Sequence, residues 1–420
     1  MPPHLPFRLI GTLALLCMLV PAALAVTPLW IVNATPDETL STVTVAHDGS
    51  LVVAGGDQLI AISPSGDKRW AGWSGSPIAV SADGAYIAAV QDQNLFLISG
   101  QGILLWQQPL GQTITALSLS PDAQVIAAGG GTAVQSWYNS GSGMGKNTTT
   151  TVQDLAVSPQ KDQILVCTAR DLESFNLSFV PTWNDTTYSP SEVAISGDGT
   201  GIVTVNGDHV RMYHGGGALL WDQTFPGGNI ISLAYSRDGS TIVAGMDDGT
   251  VLAIGREGNL LWKGTAGAWA TSVAVSDDGS TVATGSIDNR IHVYDQKGTL
   301  LGEATAMNAI KSRSVAVSGD GSLIVAADNA EVYGFSHDQF AVPASRPAAA
   351  LPAAGTAANA TVLTSPATAA SLTTTLPVTA PDRTTSASPA PAGTTAPGFS
   401  FPLALCALAA LALATGRLSR

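Results

Sequence analysis

Val273-Ala274-Val275-Ser276-Asp277-Asp278-Gly279-Ser280, running directly into Thr281-Val282-Ala283-Thr284-Gly285, decides how this chain is read. Short alternating apolar runs on either side of an Asp-Gly pair specify two strands joined by a tight turn whose glycine takes positive φ. The same unit begins at Thr42-Val43-Thr44-Val45-Ala46-His47-Asp48-Gly49 and at Ile78-Ala79-Val80-Ser81-Ala82-Asp83-Gly84. It recurs at Leu117 to Asp122, Leu155 to Gln160, Val193 to Gly199, Leu233 to Gly239 and Val315 to Gly321. Successive turn positions are 35, 39, 38, 38, 40, 40 and 42 residues apart. After the second strand comes another turn with Asp and Gly or Asn, such as Asp247-Asp248-Gly249 or Asp288-Asn289. A third strand follows, as in Arg290-Ile291-His292-Val293-Tyr294, and a Gly turn leads to a fourth, as in Gly258-Asn259-Leu260-Leu261-Trp262.

Four strands in roughly 40 residues make one blade of a β-propeller. The reading is all-β: an eight-bladed β-propeller over residues 26–340. The eighth unit stops after Glu331-Val332-Tyr333-Gly334-Phe335 without a Leu-Leu-Trp strand, whereas Pro28-Leu29-Trp30-Ile31-Val32 precedes the first unit as an orphan fourth strand. The N-terminal strand is therefore expected to close the last blade and remove an exposed edge. The Val-Ala-Val-Ser-x-Asp-Gly-Ser start resembles WD-repeat propellers, and the Gly-x-Leu-Leu-Trp end resembles pyrroloquinoline-quinone-type (PQQ-like) propellers. The resemblance implies the fold; activity has to be argued from a site. Two blades are irregular. The third runs into Gly141 to Thr150, read as a polar loop in place of a Trp strand, and the fourth replaces Asp-Gly with Gln160-Lys161.

Both ends of the chain carry other patterns. Arg8, the apolar run Leu9 to Val20 and Ala23-Leu24-Ala25 fit a signal peptide over residues 1–25, cleaved after Ala25 with Ala23 and Ala25 as the small residues of the site. Residues 341–396 are Ala, Thr, Pro and Ser with little charge. Such a segment buries too little apolar surface to offset its ordering entropy and reads as a disordered, O-glycosylated stalk. Residues 397–420 join Pro397-Gly398-Phe399 to an apolar run from Phe401 to Ala414 and a basic end at Arg417 and Arg420. This ending resembles the PGF-CTERM sorting signal of archaeal surface proteins. The resemblance implies an archaeosortase that removes the C-terminal hydrophobic helix and a lipid attached in its place. The alternative is a plain transmembrane helix, for which the apolar run is short against the roughly 20 residues of a span. Both place the body of the protein outside the cell, anchored to the membrane. Sequons for N-glycosylation occur at Asn33, Asn147, Asn176, Asn184 and Asn359.

The formal net charge is −13, and residues 26–340 hold 13 Lys and Arg against 30 Asp and Glu, a balance of −17. No basic patch exists, which excludes nucleic acid as a natural partner. Cys17 and Cys406 lie in the terminal segments, so the propeller keeps only Cys167, in the apolar run Ile164-Leu165-Val166-Cys167. It reads as a buried, inert thiol, with no internal disulfide.

Chemistry is sparse. Trp30, Trp70, Trp106, Trp183, Trp221 and Trp262 share one repeat position and read as packing between blades. Trp73 and Trp269 fall in the connections between blades and are the ligand-contact candidates. Asp247, Asp248, Asp277, Asp278 and Asp288 form an acidic set in blades six and seven; turn chemistry accounts for them more simply than calcium. No histidine spacing marks a metal site and no Gly-x-Ser-x-Gly elbow occurs. No cofactor and no catalytic residue are assigned. The expectation is a non-catalytic cell-surface propeller that binds or scaffolds an extracellular or envelope protein or glycan. The alternative is an exported enzyme (quinoprotein-like oxidoreductase, hydrolase or lyase) with its site in the central channel. Converging polar groups of shifted pKa there favour the enzyme. Small or apolar side chains favour the scaffold.

Overall fold

Each Ser-x-Asp-Gly turn is locked by its own side chains. Ser276 Oγ donates to Asp278 Oδ1 at 2.8 Å, Ser280 N donates to the same oxygen at 2.9 Å, and Thr281 N donates back to Ser276 Oγ at 3.0 Å. The same Ser-to-Asp bond recurs at Ser81–Asp83, Ser120–Asp122, Ser196–Asp198, Ser236–Asp238 and Ser318–Asp320. Donation by Ser196, then by Thr200, pulls the Asp198 carboxyl down to about 2.

The computed structural model describes residues 25–340 except Thr149. Ala23, Asn359, Pro397, Gly398, Phe399, the stalk and the C-terminal segment lie outside the described residues. Eight four-stranded antiparallel sheets form, each built from consecutive strands apart from the last. In blade 6 the second and third strands, Thr241–Met246 and Thr250–Gly255, are buried at every residue, as strands packed on both faces must be. Eight apolar clusters fill the spaces between neighbouring blades. The last blade combines Val315–Val317, Leu323–Ala327 and Glu331–Ser336 with the N-terminal Trp30–Asn33, which pairs antiparallel through Trp30↔Gly334 to Asn33↔Glu331. The expected closure by the N-terminal strand is the observed one.

The six repeat tryptophans join blades by one device. Each indole Nε1 donates to a carbonyl in the turn before the next blade's fourth strand: Trp30 to Pro64, Trp70 to Gly100, Trp106 to Asn139, Trp183 to Gly215, Trp221 to Arg256 and Trp262 to Gln296, at 2.7–3.3 Å. The ring lies so close to the turn glycine that a Cβ on Gly217, where φ is +89°, would come within 2.4 Å of Trp183. Two junctions depart from this. In blade 7, Gly302 occupies the Trp position, opposite Val293. Blade 8 has no third-to-fourth turn to grip, because its fourth strand comes from the other end of the chain. The buried Phe340 of the short helix His337–Phe340 packs there instead, against Phe335. In blade 3 the expected polar loop is a strand: Gly143–Asn147 pairs with Ala133–Tyr138. Backbone bonding to a well-formed neighbour overrides the weak strand propensity of this Gly-containing segment. Met144 stands at the Trp position, and Phe179 from blade 4 fills the junction.

Backbone bonds also run around the face that carries the Ser-x-Asp-Gly turns. Asp277 N donates to Gly319 O, Gly319 N to His47 O, Asp48 N to Ala82 O, Ala82 N to Pro121 O, Gly197 N to Arg237 O and Asp238 N to Asp277 O, all at 2.7–3.0 Å. The two junctions without such a bond start from Pro121 and Pro159, which have no N–H to give. Side chains take over: Lys161 Nζ lies 2.6 Å from Asp122 Oδ2, and Gln160 Nε2 donates to Gly197 O at 3.3 Å. The unusual Gln160-Lys161 pair thus bridges blade 4 to both neighbours.

Candidate functional site in the channel and on the loop face

The inner strands line a central cavity of about 410 Å³. Four residues before the turn serine of each blade (Ala46 in blade 1) stands a ring position at the channel mouth, on the face bearing the connections between blades. It holds Thr42, Pro77, Ala116, Asp154, Glu192, Ser232, Ser272 and Ser314. The inner strand is an edge, so its amides need partners from outside the sheet. The ring side chains supply them. Ser232 Oγ accepts from Val273 N at 3.0 Å, Ser272 Oγ accepts from Ser314 N at 3.2 Å and Val315 N at 3.1 Å, and Asp154 Oδ2 accepts from Val193 N at 3.0 Å.

Serine suffices for that bond, so the carboxylates at Asp154 and Glu192 call for a further account. Arg313 provides part of it. Its backbone has φ of +58°, in the left-handed region. Its carbonyl accepts from Thr42 Oγ1 at 2.9 Å and Val43 N at 3.1 Å, fixing it to blade 1. Its guanidinium crosses the channel and donates to Asp154 Oδ1 at 3.0 Å. The Asp154 side chain is 13% exposed and that of Arg313 is 46% exposed, so the pair is wet on one side only. Burial raises the Asp154 carboxyl, against the opposing pull of Arg313 and of the Val193 and Leu155 amides. Glu192 is pushed up to about 8, by burial first and then by the negative Asp154. The raised Glu192 carboxyl thus stands beside the Asp154–Arg313 pair. The rest of the lining is mostly Val, Ala, Ser and Thr. Such a site can donate and accept hydrogen bonds and exchange a proton.

Around this mouth lie the connections between blades. Trp269 is 53% exposed, Ile287 42% and Met307 71%. They come from three successive loops that are tied together: Ile287 N donates to Trp269 O at 3.4 Å, and Asn289 Nδ2 donates to Met307 O at 3.2 Å. Trp73, 40% exposed, stands three blades away around the ring. Its Nε1 donates to Gly102 O at 3.2 Å and its ring tilts over Phe96, so it also braces blades 1 and 2. The two tryptophans do not share one patch.

The remaining expected residues fall as follows. Asn33, Asn147 and Asn184 are exposed on fourth strands, whereas Asn176 is half-buried and its Oδ1 accepts from Ser178 N at 2.9 Å and Val180 N at 3.0 Å. Ala25 forms a parallel bridge with Glu303, and Val26 N donates to Glu303 O at 2.8 Å. The acidic set divides: Asp277 and Asp278 lie in a Ser-x-Asp-Gly turn, and Asp247, Asp248 and Asp288 on the opposite, loop-bearing face. Asp247 accepts from Asn229 N and Nδ2, Asp248 from Thr250 N, and Asp288 from Arg290 N. Cys167 is fully buried and burial raises its thiol pKa.

A WD domain, G-beta repeat model matches residues 222–252 and 260–295, so the chain contains WD40 repeats in a β-propeller. The C-terminal WD40 domain of Sif2 superposes with a TM-score of 0.63 at 15% identity, covering 74% of this chain and 98% of that one. Sqt1 of Saccharomyces cerevisiae superposes with a TM-score of 0.62 at 12% identity, covering 74% of this chain and 100% of that one. At these identities the likeness is one of fold. Comparison with curated protein sequences gives no match.

Proposed function

We propose that the protein is a non-catalytic binding or scaffolding propeller displayed outside the cell. The observation that carries this reading is the apolar group Trp269, Ile287 and Met307 on the loop face, offered by a rigid closed ring. Clustered exposed aromatic and aliphatic side chains are the usual anchors of protein interfaces. The acidic balance of the propeller suits an extracellular or envelope protein or glycan and disfavours nucleic acid. The sequence patterns at both ends support export, a lipid or helix anchor, and archaeosortase processing near Pro397-Gly398-Phe399. Mass spectrometry of the membrane-extracted protein tests the processing: an intact Arg420 end rejects it. Affinity capture from envelope extract tests the binding. Trp269→Ala with Met307→Ala is expected to lose a specific partner at unchanged melting temperature, and undiminished capture rejects the loop face.

A second reading has its own observation behind it. Asp154, Glu192 and Arg313 converge in the channel, and burial raises both carboxyls, which is what an exported enzyme with a channel site requires. Glu192 is the group that would give or take the proton. A turnover abolished by Glu192→Gln, or dye reduction with added quinone and calcium, would favour this reading over the first.

A further inference from the structure

Two neighbouring junctions place charges at the same three positions and treat them differently. The first position lies two residues beyond the Trp position of one blade. The other two lie on the third strand of the next blade. Between blades 4 and 5 these are Asp185, Arg211 and Tyr213, and they close on one another. Arg211 Nη1 donates to Asp185 Oδ2 at 2.9 Å, and the Tyr213 hydroxyl donates to the same oxygen at 2.8 Å. Arg211 Nε also donates to Asp222 Oδ2 at 2.9 Å. Between blades 3 and 4 the three places hold Lys146, Glu173 and Phe175. The signs are exchanged, which suits an ion pair equally well, yet the two side chains stay apart. Phe175 lacks the hydroxyl with which Tyr213 holds Asp185. Lys146 Nζ sits 4.3 Å over the Phe175 ring instead. Glu173 Oε2 is buried and has no hydrogen-bond partner among the described residues.

A cavity of about 270 Å³ opens at these parted charges, with Lys146, Glu173, Phe175, Pro181, Thr182 and Asn184 in its lining. No indole covers this rim, because Met144 holds the Trp position and stands in solvent. A carboxylate oxygen out of water costs free energy until something donates to it. Burial first, and then the negative Asp171, raise the Glu173 carboxyl, against the pull of Lys146. The cavity therefore offers an acceptor in want of a cation, an ammonium held only by a ring, and apolar surface from Phe175 and Pro181. Its size suits a molecule smaller than a drug-sized ligand. A simple cation is repelled by Lys146, and a simple anion by Glu173. A molecule carrying its own ammonium and carboxylate satisfies both at once.

We propose that the junction of blades 3 and 4 binds a small zwitterion, an α-amino acid with an apolar side chain. Glu173 Oε2 accepts from the ligand's ammonium. Lys146 leaves the Phe175 ring and donates to the ligand's carboxylate. The apolar side chain packs on Phe175 and Pro181. The site lies on the outer strands of its two blades, away from the channel mouth and from Trp269, Ile287 and Met307. It stands or falls independently of the loop-face reading.

The test is isothermal titration calorimetry on the full-length protein, solubilised in a non-ionic detergent and carrying Thr186→Ala. That change keeps Asn184 but removes its sequon, and with it any sugar at the rim. L-leucine, L-methionine and L-phenylalanine are the probes. At least one is expected to bind, with one molecule per chain. Its N-acetyl derivative lacks the ammonium and its amide lacks the carboxylate, and each is expected to bind at least about tenfold more weakly. Glu173→Gln and Lys146→Met each remove one charge at similar size, and are expected to cost about tenfold in affinity at an unchanged melting temperature. Lys146→Asp with Glu173→Arg and Phe175→Tyr copies the closed arrangement of blades 4 and 5, and is expected to abolish binding. If that variant fails to fold, the two single variants decide. No binding of any probe at millimolar concentration overturns the proposal. Binding that survives both single variants places the amino acid elsewhere and overturns it too. A blocked derivative that binds as tightly as its parent overturns the zwitterionic class.

Discussion

Lys161 Nζ and Asp122 Oδ2 meet at 2.6 Å across the junction of blades 3 and 4, where Pro121 leaves the turn without a backbone donor. The position of Lys161 is a glycine place: its φ is +59°, where Gly199 and Gly239 sit at +69° and +71° in blades 5 and 6. Two effects therefore oppose each other in one residue. The bridge is solvent-exposed and contributes about 0.2–1 kcal/mol. The left-handed backbone costs a residue with a Cβ about 1–2 kcal/mol.

The first prediction follows from that opposition. Lys161→Ala loses the bridge and keeps the backbone cost, whereas Lys161→Gly loses the bridge and removes the cost. The Gly variant should be more stable than the Ala variant by about 1 kcal/mol in denaturant unfolding. Added salt should narrow the gap between wild type and the Ala variant, because screening weakens the pair. Equal midpoints for the two variants would refute the account.

Two tryptophans seven positions apart should respond in opposite ways. Trp262 is buried and donates to Gln296 O at 3.1 Å across the blade 6–7 junction. Its replacement by Ala should cost about 3–5 kcal/mol. Trp269 lies over half in solvent at the next loop. Its replacement should change stability by no more than about 0.5 kcal/mol. Thermal unfolding of the two single variants decides the matter.

Glu192 should make stability depend on pH. Its carboxyl is raised from 4.5 to about 8 in the folded chain, so the native state holds a proton that the unfolded chain has released. Its contribution is fully present below about 4.5 and is lost as pH rises through about 8. The neighbouring Asp154 is also raised and acts in the same direction, while Arg313 opposes both. Glu192→Gln should flatten the decline, which unfolding midpoints measured from pH 5 to pH 9 would reveal. A variant that falls as steeply as wild type would exclude Glu192 as the source.

Much of the architecture could be read directly from the chain because the Ser-x-Asp-Gly turn is self-contained. Its three side-chain bonds are local, so each recurrence announces itself without tertiary information. The Trp position was equally legible, since an indole N–H and a turn glycine answer each other at a fixed spacing. The fourth strand of blade 3 was missed because its glycines give no strand signal and its pairing comes wholly from the neighbouring strand. The channel mouth was missed for a different reason. Asp154 and Glu192 stand one residue before the repeat as it is most easily aligned, where six other blades carry Thr, Pro, Ala or Ser. A comparison of that column alone would have exposed them. Arg313 carries no such mark, since it lies in a connection between blades, outside the repeated column.

The borrowed strand of blade 8 also sets an order of events in time. Trp30–Asn33 is made first, yet its partner Glu331–Ser336 leaves the ribosome roughly 300 residues later. Blades 1 to 7 hold all four of their own strands and can stack one after another as they appear. The circle itself cannot form until synthesis of the domain is complete. During that interval the first strand waits unpaired, with Leu29 and Ile31 bare to whatever escorts the nascent chain.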